Sequence, residues 1–406
     1  MSKQKEDSIV PVVFAVNNGY APYLYVSLMS LIEHTNPNEN YQIYVLHTVL
    51  EKKHIERLED LEKDNVHVEC RNVEKSMRGI EIKGSVHLTV ETCYRLLISE
   101  LFPQYSRMLY IDSDTLVLSD VAELYHIDLN GKTIGAVHDV VCTYLEEYYA
   151  QHVGINVEEG FNAGILVIDT VKFRKGQIKE KCIGWLIEDS KNSERKYIYM
   201  DQDVLNLALR HEVCFLESVW NFQWQYLWRL ETILPEYVEN YISDSKKVRI
   251  IHYAGDKKPW ARPDLEKADL FWMMARKSVY YEEMLFHNFI AERKSNLFKS
   301  HIFPFSEIEK DSNIVLYGAG DVGKTLYEQN ELIGYVNILL WIDRNPCEVN
   351  IEGAAIDDIQ TLVQFPQIYD YILIAIDDSR ICGQVKENLV NLGLPLKKIM
   401  WCKYKK

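Results

Sequence analysis

An early alternation of short β-branched runs with stretches of helical periodicity constrains this fold more than any other feature. Ile9 to Val16 is apolar almost throughout and short, the pattern of a strand buried in a parallel sheet. After the loop Asn17-Asn18-Gly19, apolar residues recur at helical spacing from Tyr23 to Ile32. Gln42 to Leu46 predicts a second strand, Glu51 to Lys63 a charged amphipathic helix, and Val66 to Cys70 a third strand. Thr92 to Leu101 reads as helical. Arg107 to Ile111 is a strand that runs straight into Asp112-Ser113-Asp114. Such alternation specifies an α/β domain with a mostly parallel sheet.

The pattern changes near residue 261. From there to about residue 300 it is helical and rich in aromatic and charged residues, and His301-Ile302-Phe303-Pro304 is a stop. Asn313 to Tyr317 opens a new strand, followed by Gly318-Ala319-Gly320-Asp321-Val322-Gly323, with further strands expected at Ile338 to Ile342 and Tyr371 to Ile376. The expected division is a catalytic-sized domain over 8–262, a helical extension over 263–310, and a smaller α/β domain over 311–406. A chain of 406 residues is too long for one typical core, in keeping with that division.

Composition narrows the function classes. A net charge of −15 without a basic face argues against nucleic acid as a partner. Eight cysteines with no CxxC pair read as reduced thiols in a cytosolic setting. Met1 to Asp7 lacks the apolar stretch of a signal peptide, and no run approaches the roughly 18 apolar residues of a membrane span. The expectation is a cytoplasmic protein that works peripherally at the inner membrane face if its acceptor is membrane-bound. The ending Lys403-Tyr404-Lys405-Lys406 reads as a solubilising terminus rather than an anionic-surface contact.

Asp112 and Asp114 carry the chemistry. Side chains two apart on an extended backbone point the same way, so both carboxylates can face one ion. They follow a strand, and open α/β sheets bind ligands at the carboxyl ends of their strands. A Mn²⁺ or Mg²⁺ ion wants such oxygen ligands and bridges to a diphosphate. The competing reading is a solvated turn. His252 follows the strand-like run Val248 to Ile251, so it is either a further ligand or a hydrogen-bonded core histidine. Gly255 allows close backbone approach to a phosphate, and Lys258 is either a charge for that phosphate or a surface lysine.

Five ordered segments carry a resemblance: Phe14 to Tyr20, Tyr110 to Asp114, Phe161-Asn162-Ala163-Gly164, Asp201 to Asn206, and His252 to Gly255 continuing through Lys258-Pro259-Trp260. Together they resemble glycosyltransferase family 8 over roughly residues 9 to 262. The resemblance implies the GT-A fold, a UDP-sugar donor, a Mn²⁺ ion and transfer with retention of anomeric configuration. It implies Asp112, Asp114 and His252 as metal ligands. Ala15, Asn17, Gly19 and Tyr20 would hold the uridine, with Tyr20 stacking. Arg95 would contact the donor sugar and its phosphate region, with Ser113, Gly255 and Lys258 completing the diphosphate surroundings. Asp139, Asn162, Ala163, Asp201 and Gln202 would line the sugar, and Gln202 would lie nearest the reacting carbon. An amide is a poor nucleophile, which favours front-side attack through an ion-pair-like state. Family members often carry aspartate where this chain has Asn17 or Asn18, and asparagine adds a donor to that acceptor.

Trp220 to Trp228 is dense in aromatics and reads either as an acceptor platform or as packing. Tyr144 to Tyr149 reads either as a border of the acceptor cleft or as a solvated helix. The loop Gly318 to Gly323, with Asp343 placed as a ribose-binding acid would be, fits a dinucleotide fingerprint. The domain resembles the Rossmann-like modules of nucleoside-diphosphate-sugar enzymes, and its size favours an accessory or nucleotide-binding role over an active dehydrogenase. The leading expectation is a hexosyltransferase using UDP-galactose or UDP-glucose on a polysaccharide, lipopolysaccharide or other glycolipid acceptor. Tyrosine glucosylation of the glycogenin type, an NAD-dependent oxidoreductase and a nucleotide-sugar sensor are the alternatives.

Overall fold

In the computed structural model the described residues are 9–80, 82, 90–140, 143–192, 196–292, 301–346, 354–365 and 368–402. The basic terminus at 403–406 and the end of the expected helical stretch at 293–300 lie outside them. The chain divides into two compact units, Met1–Ser278 and Val279–Lys406, and the division falls within the 263–310 segment of the sequence.

The β-branched runs of the first unit form strands β1 (Ile9–Ala15), β2 (Asn40–His47), β3 (Val66–Asn72) and β4 (Arg107–Ile111). Beyond them come β5 (Thr115–Val117), β6 (Ile134–His138), β7 (Phe161–Asp169), β8 (Val213–Phe215), β9 (Phe222–Gln223) and β10 (Ile250–His252). Seven strands make the main sheet in the order β3-β2-β1-β4-β7-β6-β8. The helix Ala21–Glu33, entered with Pro22 in its first turn, lies between β1 and β2. A 3₁₀ helix, Val90–Leu97, precedes β4.

The sheet is parallel from β3 through β4, but β7 runs antiparallel to both β4 and β6. Phe161–Ile168 is buried residue after residue, and such a run gives no sign of its direction. The reversal matters for the site. It brings Asn162, Ala163 and Gly164, at the start of β7, against the carboxyl end of β4, where the Asp112 amide donates to the Gly164 carbonyl at 2.8 Å.

A second, three-stranded sheet has the order β5-β10-β9. Its register sets His252 opposite Thr115 and beside Gln223. The residue after Asp114 is thereby paired with the histidine far along the chain. No helix among the described residues is long and apolar enough to cross a membrane.

The second unit adds β11 (Asn313–Tyr317), β12 (Asn337–Ile342), β13 (Tyr371–Ile374) and β14 (Ile399–Trp401), all parallel, in the order β12-β11-β13-β14. Gly318 leaves β11 with φ +104, a conformation that favours glycine. A Cβ on Gly323, in the first turn of the helix Asp321–Ile333, would lie 1.9 Å from the Gly318 carbonyl oxygen. That oxygen also accepts from the buried Trp341 indole at 2.9 Å. Gly323→Ala must push the helix off the strand, at a cost of about 1–3 kcal/mol. Thermal denaturation of the full chain is expected to show a lowered transition, and an unchanged profile contradicts this packing.

Candidate active site

At the carboxyl edge of β1 and β4 opens a cleft of about 920 Å³. Asp112, Asp114 and His252 meet on its wall, one donor atom from each lying within 4.8 Å of the others. The His252 Nε2 stands 3.7 Å from an Asp112 oxygen and 3.4 Å from an Asp114 oxygen. Its other ring nitrogen, Nδ1, faces the Asn221 side-chain oxygen at 2.9 Å. An amide oxygen only accepts, so Nδ1 carries a proton and Nε2 is the nitrogen turned toward the carboxylates. Asn221 in turn donates to the Asn162 oxygen at 2.9 Å, and the Gly164 amide donates to that same oxygen at 2.9 Å.

Glycine is required at position 164. A Cβ there would fall 2.2 Å from His252 Cε1 and 2.8 Å from an Asp112 oxygen. Two carboxylates and an oriented imidazole, packed against a residue with no side chain, suit a divalent ion that accepts mixed oxygen and nitrogen donors.

Each carboxylate has its own cation. Arg95, only 4% exposed, donates to Asp112 at 2.9 Å and pairs with Asp201 at 2.9 Å. It also donates to the Ala163 carbonyl and lies over the Tyr110 ring at 4.3 Å. The Tyr110 hydroxyl donates to Asp112 at 2.6 Å. Lys258 donates to Asp114 and to the Tyr253 carbonyl. Burial pushes the Asp112 carboxyl up against the opposing pull of Arg95 and His252. For Asp114 burial acts in the same direction, but Lys258 and His252 outweigh it and hold the group well below the usual carboxylate range.

The far wall belongs to the helix Asp201–Ala208. The Gln202 oxygen accepts from the Ala163 amide at 3.1 Å, while its nitrogen donates to Asp139 at 3.0 Å. Asp139 also accepts from the Tyr149 hydroxyl at 2.7 Å. Burial pushes the Asp139 carboxyl up, and these donors restrain it. Arg95 therefore ties the metal end of the cleft to the Asp201 end.

Ala15, Asn17 and Tyr20 line the opposite end, and Gly255 enters with φ +90. Ser113 donates to the Ala15 carbonyl at 2.5 Å, fastening the acidic loop to β1. Asn17 spends its side-chain oxygen on the Tyr20 amide at 3.1 Å. Tyr20 meets Trp260 edge-on, and Trp260 stacks on Tyr23 at 3.7 Å between centroids. Of the residues assigned from the sequence to the metal, the donor and the reacting sugar, all but Gly19 line the cleft. In the aromatic segment Trp220, Phe222 and Trp224 are buried packing, whereas Gln223, Gln225, Tyr226 and Arg229 face the cleft. In the Tyr144–Tyr149 segment Leu145 lines the cleft and Tyr149 is buried.

Sequence reasoning did not single out Asn221, Tyr149 or Asp203. A polar Asn221 between Trp220 and Phe222 was the available signal. Its buried amide orients His252, so Asn221→Ala is expected to weaken Mn²⁺ binding about 10- to 100-fold. Calorimetric titration with Mn²⁺ in the presence of UDP checks this.

Asp203 is fully buried; one oxygen accepts from the Tyr148 hydroxyl at 2.5 Å and from the Tyr199 amide at 2.8 Å. Burial pushes its carboxyl up to about 7. The folded value exceeds that of an unfolded aspartate, about 3.9. Stability tied to this group is therefore complete below the lower value and is lost as pH rises through the higher one. Asp203→Asn removes the loss. Its thermal midpoint relative to wild type is expected to climb between about pH 4 and about pH 7.

Comparison with known proteins agrees with this geometry. The signature described as glycosyl transferase family 8 matches residues 11–264. General stress protein A of Bacillus subtilis (strain 168) is 30% identical over 263 residues, covering 63% of this chain and 89% of that protein. The apo structure of the WbbM bifunctional glycosyltransferase aligns with a TM-score of 0.61 and 26% identity, over 69% of this chain and 51% of that one. The structure of the galactosyltransferase LgtC with donor and acceptor sugar analogs aligns with a TM-score of 0.55 and 26% identity, over 66% of this chain and 96% of that one. The first unit thus has the GT-A fold, and the chain belongs to glycosyltransferase family 8.

Proposed function

We propose that the protein transfers a hexose, galactose or glucose, from a UDP-sugar to a hydroxyl of a glycan acceptor with retention of configuration. The observation that carries this reading is the meeting of Asp112, Asp114 and the His252 Nε2 beside Lys258, in a cleft that Asp139, Asp201 and Gln202 also line. A divalent ion held by Asp112, Asp114 and His252 would supply Lewis-acid neutralisation of the charge that builds on the departing UDP.

The remaining work falls to the chain itself. Tyr20 and the Ala15–Asn17 backbone face the base and ribose. Lys258 offers a half-buried cation to the diphosphate, and Gly255 lets the backbone approach it. Asp139, Asn162 and Asp201 orient the hexose. Gln202 faces the anomeric carbon as a dipole rather than as a nucleophile, because an amide forms a glycosyl bond poorly. The acceptor hydroxyl attacks from the face that UDP leaves; its oxygen bonds to the anomeric carbon as the bond to the phosphate oxygen breaks. The acceptor proton passes to that leaving phosphate. Positioning and electrostatic stabilisation supply the rate.

A polysaccharide or lipopolysaccharide acceptor, reached from the inner membrane face, fits this reading. In the second unit Asp343 spends one oxygen on the Ala319 amide at 2.6 Å. Its other oxygen accepts from the Asn345 amide at 2.9 Å, so both are engaged within the protein, which supports an accessory role for residues 311–406 over an active dehydrogenase.

UDP release from UDP-glucose and UDP-galactose, with Mn²⁺ or with EDTA, tests the reaction without a known acceptor. Turnover is expected only with metal, and Asp114→Ala is expected to lower it at least about 100-fold. Metal-independent turnover, or absence of any metal-dependent UDP binding, contradicts the proposal.

A further inference from the structure

Two consecutive tyrosines hold two acids near Gln202, Asp139 and Asp203. The helix Thr143–Tyr148 passes directly into a π-helical turn, Tyr149–Val153. Such turns are rare and recur at functional sites. Here the turn lets neighbouring tyrosines serve two different acids. Tyr149 is completely buried and donates to Asp139, which also accepts from the Gln202 nitrogen. Tyr148 donates to Asp203, one residue beyond Gln202 on the helix Asp201–Ala208.

The Tyr148 contact bears on a strained turn. Met200, at the entry to that helix, has φ +48, which L residues rarely adopt. Strain of this kind persists only where the surroundings overdetermine it. Asp203 fixes the Tyr199 amide at 2.8 Å, and the Tyr148 hydroxyl accepts from the Ile198 amide at 3.0 Å. The two bonds clamp the chain just before Met200, and so set where Asp201 and Gln202 begin.

The Tyr149 contact bears on the amide itself. A glutamine amide has two orientations of nearly the same shape, distinguished only by its partners. The Asp139 oxygen that accepts from the Tyr149 hydroxyl also accepts from Gln202, and so selects its nitrogen. The oxygen is then left to the Ala163 amide, with one lone pair uncommitted. Tyr149 holds the Asp139 oxygen in place for that selection.

We infer that Tyr148 and Tyr149 are positioning residues for glycosyl transfer: Tyr149 fixes the Gln202 amide through Asp139, and Tyr148 fixes the turn at Met200 through Asp203. This rests on the transferase reading above. Neither tyrosine lines the cleft. Their removal alters how the bound donor reacts, not how tightly it binds.

The test is Tyr149→Phe, which keeps the ring and deletes the hydroxyl, assayed by Mn²⁺-dependent UDP release in the full chain. The kcat is expected to fall about 10- to 100-fold, with KM for the UDP-sugar and Mn²⁺-dependent UDP affinity unchanged. The same substitution made in a Gln202→Ala background is expected to cause no additional loss, because its effect runs through Gln202. Tyr148→Phe is expected to lower kcat in the same way. Equal losses in both backgrounds, a change confined to KM, or unchanged kcat in Tyr149→Phe overturns the inference. In each of those outcomes wild-type turnover leaves the transferase reading standing; a wild type without turnover or metal-dependent UDP binding removes both.

Discussion

Two half-buried carboxylates set side by side repel one another, and the first unit is organised around bearing that repulsion. Asp112 leans on Arg95 and Asp114 on Lys258, and the two cations arrive from different parts of the chain. A buried charge stripped of its partner costs several kcal/mol. Neither cation is therefore spare, and each has a second duty. Arg95 reaches on to Asp201, and Lys258 returns to the Tyr253 carbonyl beside His252. The charges form a connected row along the cleft, so a displacement at one end is felt at the other.

The backbone meets this arrangement through the reversal of β7. Only an antiparallel strand beside β4 brings its opening residues, rather than its closing ones, to the edge where Asp112 emerges. Gly164 then supplies room and Asn162 supplies an oxygen. Through Asn221 that oxygen reaches the imidazole of His252, so a main-sheet strand orients a ligand carried by the small sheet. Precision of this kind comes from hydrogen bonds whose polarity is fixed at each step, carboxamide to carboxamide to ring.

Much of this was legible in the sequence because its signals are local. The β-branched runs marked β1 to β4 to within a few residues, and Asp112 with Asp114 stood out as acids placed directly after a strand. His252 was visible as a histidine closing a strand-like run. Asn221 was not, since its task depends on β9 lying beside β10, a pairing that no local pattern encodes. The direction of β7 was hidden for a similar reason: Phe161 to Ile168 is apolar on both faces, and periodicity is silent about polarity of the strand. Asp203 and Tyr149 matter through partners distant in sequence, so type and spacing alone did not single them out. Arg95 was found, but its sequence reading toward the donor gave no hint of its ion pairs with Asp112 and Asp201.

The interleaving of β10 between β5 and β9 also governs how the molecule is made. β5 belongs to the first half of the unit, yet its partner strand comes near the end of that unit, so the small sheet is a late, non-local closure. Contacts of such high sequence separation form slowly, because loop entropy is lost before they compensate for it. During synthesis the β1–β4 segment, largely locally connected, emerges and can pair long before His252 leaves the ribosome. Until then Asp112 and Asp114 lack both the imidazole and Lys258. The nascent enzyme carries an acidic loop without a site, and its chemistry begins only when the last strand of the first unit is threaded into place.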